Sequence, residues 1–269
     1  MWVPGRAPVG KSVWDRLASA YGLAEPDHFS EFARRLVPLV PLDPGTVVLD
    51  LACGAGALAT AVASAAPSAR LVAADLSVDM LRRASLEPSQ RGAHPAVAAM
   101  DAQLLAFMDR TFGLVLCGSA LDSFPDPVGA LTEMHRVLRP GGTLGLWVAP
   151  SWWWRGDPRW NWHDDLLASL GADVGHVSAG LDGPAPLQQM VRVAGFHNVD
   201  VRVGELDLRF KDAREWWHWV WSHGFRQVLE QLAADQLATY RETAFERIGH
   251  KGIAGRMEAL IAVAARHEP

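Results

Sequence analysis

Hydrophobic positions change period along the chain. Residues 12–21, SVWDRLASAY, and 28–40, HFSEFARRLVPLV, place apolar side chains at helical spacing and predict two N-terminal helices. From residue 45 onward, short apolar runs alternate with helical segments. TVVLDLAC, RLVAADL, HPAVAAM, FGLVLCG and TLGLWVA read as five strands; ALATAVASAA, VDMLRRASL and PVGALTEMHRVL read as the helices among them. Runs apolar on both faces, joined by helices, predict βαβ units in a parallel sheet. Arg139-Pro140-Gly141-Gly142 supplies the helix stop before the fifth strand.

Past Pro150 the alternation ends. SWWWRGDPRWNWHDDLLASLG reads as a loop followed by a helix, and LQQMVRVAGF as a helix that stops at Gly195. NVDVRVGELDLRF returns to a period of two and predicts a long sixth strand. EWWHWVWSHGFRQVLEQL and ADQLATYRETAFERI are helical, and RMEALIAVAARH is a β-type run that closes the chain. No internal repeat or low-complexity linker interrupts the order, so 1–269 reads as one domain. Its parts are N-terminal helices over 1–44, a core over 45–149, a Trp-rich segment over 151–186, a helix and sixth strand over 187–210, a helical insertion over 211–253 and a last strand over 254–267.

Composition narrows the function classes. Apolar residues make up 49% and charged residues 20% of the chain, the balance of a globular protein. A net charge of -5 argues against a general nucleic-acid surface, which needs clustered Lys and Arg. MWVPGRAPVG lacks the apolar stretch of a secretory signal, and no run reaches membrane-span length, so the expectation is a cytoplasmic protein with no membrane partner. Neither Cys53 nor Cys117 has metal-ligand spacing around it, and no metal is expected.

The chemistry concentrates in VVLDLACGAGALATA, residues 47–61. A buried strand ends at Asp50, and Gly54 and Gly56 let the backbone turn tightly and approach a ligand with no Cβ in the way. The helix that follows aims its N-terminal N–H groups at the same place. A second strand ends at Asp75, about 20 residues on, where a carboxylate accepts hydrogen bonds from both hydroxyls of a ribose. The pattern predicts an adenosine-containing ligand. Gly54-x-Gly56-x-x-Ala59 also satisfies a permissive dinucleotide fingerprint, so an NAD-dependent oxidoreductase is an alternative. Asp50 weighs against it, because an acid beside the loop repels a pyrophosphate and attracts a sulfonium or an ammonium.

At this point the sequence resembles the class I S-adenosylmethionine-dependent methyltransferases of the small-molecule, natural-product type, over roughly residues 45–149. VLDLACGAG is similar to the family's first motif, in which the acid, here Asp50, helps hold the methionine part and the loop, here with Ala52, Gly54 and Gly56, passes close to the cofactor. AADLS resembles the ribose motif, carried by Asp75 with Leu76 and Met80 beside the adenine. MDAQLLAF resembles the third-strand motif, with Asp101 at the adenine amino group and Ala102 at the adjoining backbone contact. FGLVLCGSALDSFPDP and LRPGGTLGLWV resemble the fourth and fifth strands, which add Cys117 and Ser119. The resemblance implies an α/β fold: a doubly wound, mostly parallel, seven-stranded Rossmann-like sheet whose last strand is antiparallel, with N-terminal helices and a helical lid. It also implies S-adenosyl-L-methionine as cofactor and a small-molecule oxygen or nitrogen as acceptor.

Transfer from a sulfonium is an in-line displacement, which needs alignment and a dry chamber more than a base. The chamber walls are expected from the N-terminal helices, with Trp14 and Tyr21, the loop after the fourth strand, with Ser119 and Asp122, and the two lid segments. The clusters Trp152-Trp153-Trp154, Trp160-x-Trp162 and Trp216-Trp217-x-Trp219-x-Trp221 are expected mainly to pack the lid, with one or two residues of each reaching an aromatic acceptor. His163, His223 and Asp122 are the candidate bases. His135 reads as a helix residue whose charge suits the C-terminal dipole. A non-methylating enzyme that uses the same cofactor, of the cyclase type, and a cofactor-free scaffold are further alternatives. A monomer or a homodimer is expected.

Overall fold

The computed structural model describes residues 11–85, 95–149, 157–172 and 181–267. Helices α1 (Lys11–Leu17) and α2 (His28–Leu36) precede strand β1 (Val47–Leu51). The core continues as α3 (Ala57–Ala65), β2 (Arg70–Asp75), α4 (Val78–Ala84), β3 (Ala96–Ala99), β4 (Phe112–Gly118), α5 (Pro127–Val137) and β5 (Leu138–Val148). There follow α6 (Asn161–Ser169), α7 (Pro184–Val193), β6 (His197–Phe210), α8 (Ala213–Trp221), α9 (Arg226–Leu229), α10 (Ala234–Ile248) and β7 (Ile253–Ala265).

All seven strands form one sheet in the order β3-β2-β1-β4-β5-β7-β6. The first five pair in parallel, and β7 lies antiparallel between β5 and β6. This is the doubly wound, mostly parallel sheet implied by the resemblance. The strand order reverses between β1 and β4, so the helices after these strands leave toward opposite faces and a crevice opens at their carboxyl ends. The parallel strands β1 and β4 are buried along almost their whole length, the physical source of their unbroken apolar runs. Strand β6 alternates because one of its edges is free and its face is only partly covered.

Two apolar layers flank the sheet. On one side α5 and α7 bury Leu131, Met134, Val137, Leu187 and Val191. On the other, α2 and α3 meet the lid, and Phe32, Leu58, Leu114 and Trp147 run without a break into Trp160, Trp216, Trp219, Phe225 and Tyr240. The lid is therefore part of the main core.

Two local expectations change. The helix expected over 215–232 is broken at Ser222-His223-Gly224, because the Ser222 hydroxyl (2.9 Å) and His223 Nδ1 (2.6 Å) both donate to the Trp219 carbonyl and end α8 there. The C-terminus of α5 is served by Arg266, not by a charged His135. One Arg266 Nη donates to the carbonyls of His135, Arg136 and Leu138 at 2.6, 2.9 and 2.6 Å. His135 packs edge-on against Phe196, with its pKa lowered by burial and by Arg266.

Candidate active site

The crevice is built by backbone that turns left-handed at two adjacent strand ends. Ala52, just past β1, has φ 54°, and Ser119, just past β4, has φ 54°. Non-glycine residues hold this conformation at a cost on the order of 1–3 kcal/mol, which the paired strands on either side impose. Gly54 (φ 52°) and Gly56 (φ 92°) complete the first turn. A Cβ on Gly54 would stand 3.3 Å from Tyr21 Cε1, a tight contact that adds to the demand its positive φ makes for glycine. Gly118 is needed for space on β4, where a Cβ would fall 2.6 Å from Trp147 Nε1 and 2.9 Å from Leu58 Cδ1.

Three carboxylates surround this turn. Asp75 is buried; its Oδ2 accepts from Gly54 N at 2.9 Å and its Oδ1 from Ser77 N at 2.8 Å. Those bonds fix the carboxylate plane and tie the end of β2 to the glycine loop. Burial raises the Asp75 pKa, and the backbone N–H groups partly offset that. Asp50 is 1% exposed; its Oδ2 accepts from Ala59 N at 2.9 Å, while Oδ1 has no hydrogen-bond partner among the described residues. Desolvation, offset in part by Ala59 N, pushes its pKa up to about 7. A buried carboxylate oxygen left unpaired is costly, and a cationic ligand group beside it removes the cost. Asp101 is exposed and is held in an Asx turn by Gln103 N at 2.9 Å.

Around these groups lie two adjoining compartments. Trp14, Tyr21, Ala52, Gly54, Asp75, Leu76, Met80, Asp101, Ala102 and Ser119 all line the first, so ten of the sequence-predicted positions come together there. The second holds Asp50 and Gly56 with Phe29, Ser30, Arg83 and Trp147. Tyr21, Ala52, Gly54 and Gly118 border both. Burial, then the charges of Asp75 and Asp122, hold the Tyr21 phenol well above its ordinary pKa and keep it protonated.

Other expected residues fall elsewhere. Cys117, on β4, is buried in the core and lines neither compartment, because the side chain before the strand's last residue points into the α5 layer. His163 is sealed in the lid, its Nε2 2.6 Å from the Tyr240 hydroxyl, with a pKa lowered by burial. His223 lies behind Phe29 and Trp219, with ring centroids 5.4 and 4.2 Å away, and burial lowers its pKa to about 4. Its bond to the Trp219 carbonyl puts the proton on Nδ1, and Nε2 has no partner among the described residues. Neither imidazole reaches a compartment wall. Asp122 sits in the turn Leu121–Ser123, between Ala120 and Ser123, which do. Trp160, Trp216 and Trp219 are core residues; Trp152, Trp153 and Trp154 lie outside the described residues. Phe29, Arg83, Gln103, Phe124 and Trp147 are wall residues that sequence reasoning missed. For Trp147 the signal was Gly118, its partner across β4 and β5, and it needs the sheet register to be read.

A switch-point crevice with a glycine turn, a ribose-type acid and an unpaired buried carboxylate in place of a pyrophosphate cradle defines a class I S-adenosylmethionine-binding fold. Residues 48–142 match the methyltransferase domain family. Over 240 residues the chain is 31% identical to nocamycin O-methyltransferase of Saccharothrix syringae, covering 84% of this chain and 86% of that protein. It is 30% identical to trans-aconitate 2-methyltransferase of an Azoarcus strain, covering 80% and 82%. The solved [4+2]-cyclase SpnF has the same fold over the whole of both chains, with a TM-score of 0.60 at 19% identity. The chain belongs to the S-adenosylmethionine-dependent methyltransferases, and its cofactor is S-adenosyl-L-methionine. Among the described residues, no helix is long and apolar enough to cross a membrane, and no cluster of side chains is suited to a metal ion.

Proposed function

We propose that this protein methylates an oxygen of a small-molecule acceptor that is already nucleophilic, such as a carboxylate or an ionised enol. When bound, the cofactor supplies a sulfonium methyl group, which is electrophilic without help from the protein. Asp75, Leu76, Met80, Asp101 and Ala102 would hold its nucleoside, and Asp50 its cationic amino-acid end; the unpaired Oδ1 of Asp50 is the observation that carries this assignment. The remaining work of the chain is alignment and exclusion of water. Tyr21, Phe29, Phe124 and Trp147 supply apolar wall, and Ser119 and Ser123 supply hydroxyls near the strand end.

Two observations support oxygen and a base-free reaction. His163 and His223 are withdrawn from the cavity and held neutral, so neither of these two imidazoles stands where it would take a proton from the acceptor. The two extensive relatives are named for an O-methyl transfer and for transfer to trans-aconitate, a carboxylic acid. The test is incubation with methyl-labelled cofactor and a panel of carboxylic acids, enols, phenols and amines, with S-adenosylhomocysteine measured. Label in a methyl ester or enol ether is expected. Label only in N-methyl products contradicts the oxygen assignment, and acceptor turnover without S-adenosylhomocysteine would make this a non-methylating enzyme like the cyclase whose fold it has.

A further inference from the structure

The second compartment contains two opposite charges that are not paired with each other. One is Asp50, with its unpartnered Oδ1. The other is Arg83, on the last turn of α4. Among the described residues the Arg83 guanidinium makes one hydrogen bond, from Nη1 to the Ala18 carbonyl at 2.8 Å, and no ion pair. Its neighbour Arg82, in contrast, is spent on Asp79 at 2.6 Å. The other acid in the compartment, Asp27, is committed to capping α2, where it accepts from Ser30 N at 3.1 Å. Helix α3 starts in the same compartment at Gly56 with no side-chain cap, and its first N–H groups add positive potential there.

A carboxylate acceptor, an anion-seeking guanidinium and an uncapped helix start, together in one small space, match a group that carries an ammonium and a carboxylate at once. We propose that Arg83 binds the carboxylate of the cofactor's amino-acid end, and that it makes the second compartment selective for a zwitterionic α-amino acid terminus over a neutral or purely cationic one. The bond from Nη1 to the Ala18 carbonyl anchors the guanidinium and leaves its remaining N–H donors for the carboxylate. Because Ala18 follows α1, the same side chain also ties the helix that carries Trp14 to α4. The inference rests on the cofactor lying in this cavity, and the experiment separates the two.

Binding of three nucleosides is measured by calorimetry: S-adenosylhomocysteine, with ammonium and carboxylate; its decarboxylated form, with ammonium only; and 5′-methylthioadenosine, with neither. The wild-type protein is expected to prefer the first. Arg83→Met, which keeps the apolar stem, is expected to weaken S-adenosylhomocysteine about ten- to a hundredfold and to leave the other two within about twofold, which also shows the variant folded. Arg83→Lys is expected to recover part of the loss. Equal weakening of all three nucleosides would mean that Arg83 acts only by seating α1 through Ala18, and would overturn the proposal. So would an unchanged affinity for S-adenosylhomocysteine with a raised acceptor KM, which would give Arg83 to the acceptor. If the wild type binds none of the three, the cofactor site itself is wrong.

Discussion

The cofactor side of the crevice and the lid beside it bury different kinds of polar group, the first carboxylates and the second neutral rings. At the ends of β1 and β2 the carboxylates are buried with capacity to spare: Asp75 is oriented by two backbone N–H groups and Asp50 keeps one oxygen bare. In the lid the buried polar groups are neutral: His163 pairs with Tyr240, and His223 with Ser222 and the Trp219 carbonyl, while Trp216 Nε1, Trp221 Nε1 and His223 Nε2 have no partner among the described residues. Unsatisfied charge aimed into a cavity invites a ligand, whereas a neutral imidazole packed among indoles serves as core. Histidines and tryptophans look like chemistry in a sequence, yet here the acids and glycines line the cavity and the lid histidines do not.

The contrast predicts that the two regions can be damaged separately. The largest effect is expected in the lid: Trp216→Ala empties a fully buried site and should lower stability by about 3–5 kcal/mol in denaturant titration, with S-adenosylhomocysteine affinity little changed below the melting temperature. Affinity lost in proportion to stability would erase the distinction. Next, Asp75→Ala should weaken S-adenosylhomocysteine by about 1.5–3 kcal/mol for each charge-assisted bond removed, read by calorimetry; an unchanged Kd would remove Asp75 from the site.

Asp50 gives a smaller, pH-dependent effect. Its pKa is raised from the usual carboxylate range to about 7, so the stability it contributes is fully present below about pH 4 and lost as pH rises through 7. The buried histidines, with lowered pKa values, act in the opposite direction. The stability of the wild type relative to Asp50→Asn therefore isolates the carboxylate, and it should fall between about pH 4 and 8. S-adenosylhomocysteine needs the ionised form beside its ammonium, so its affinity should drop by up to about tenfold per unit below pH 7 in the wild type and stay flat in Asp50→Asn. The smallest effect is expected for His163→Gln, with the turnover rate within about twofold of wild type despite some loss of stability. Turnover slowed by about a hundredfold or more would restore His163 as a base.

How much of this was legible in the sequence follows from the same contrast. The order of strands, the glycine turn and the three acids could be read because strand ends in a parallel sheet fix where those positions go, and Asp50, Asp75 and Ala52 need only their own strand to be placed. The long period-two run of β6 and the β-type run of β7 were equally clear. Arg83, Phe29 and Trp147 were not, because they reach the cavity across helix–loop and strand–helix contacts that no local pattern encodes. Cys117 was misplaced by one position of the β pleat: Gly118 and Ser119 face the cavity while Cys117 faces α5. The lid histidines misled because spacing reports that a helix has an apolar face but not what that face covers.

The most direct test is a crystal structure grown with S-adenosylhomocysteine. The ribose should lie against Asp75 and the adenine beside Leu76 and Ala102, with the ammonium within hydrogen-bonding distance of Asp50 Oδ1. A crevice left empty at saturating ligand, or the nucleoside bound with Asp50 still unpaired, would contradict the account.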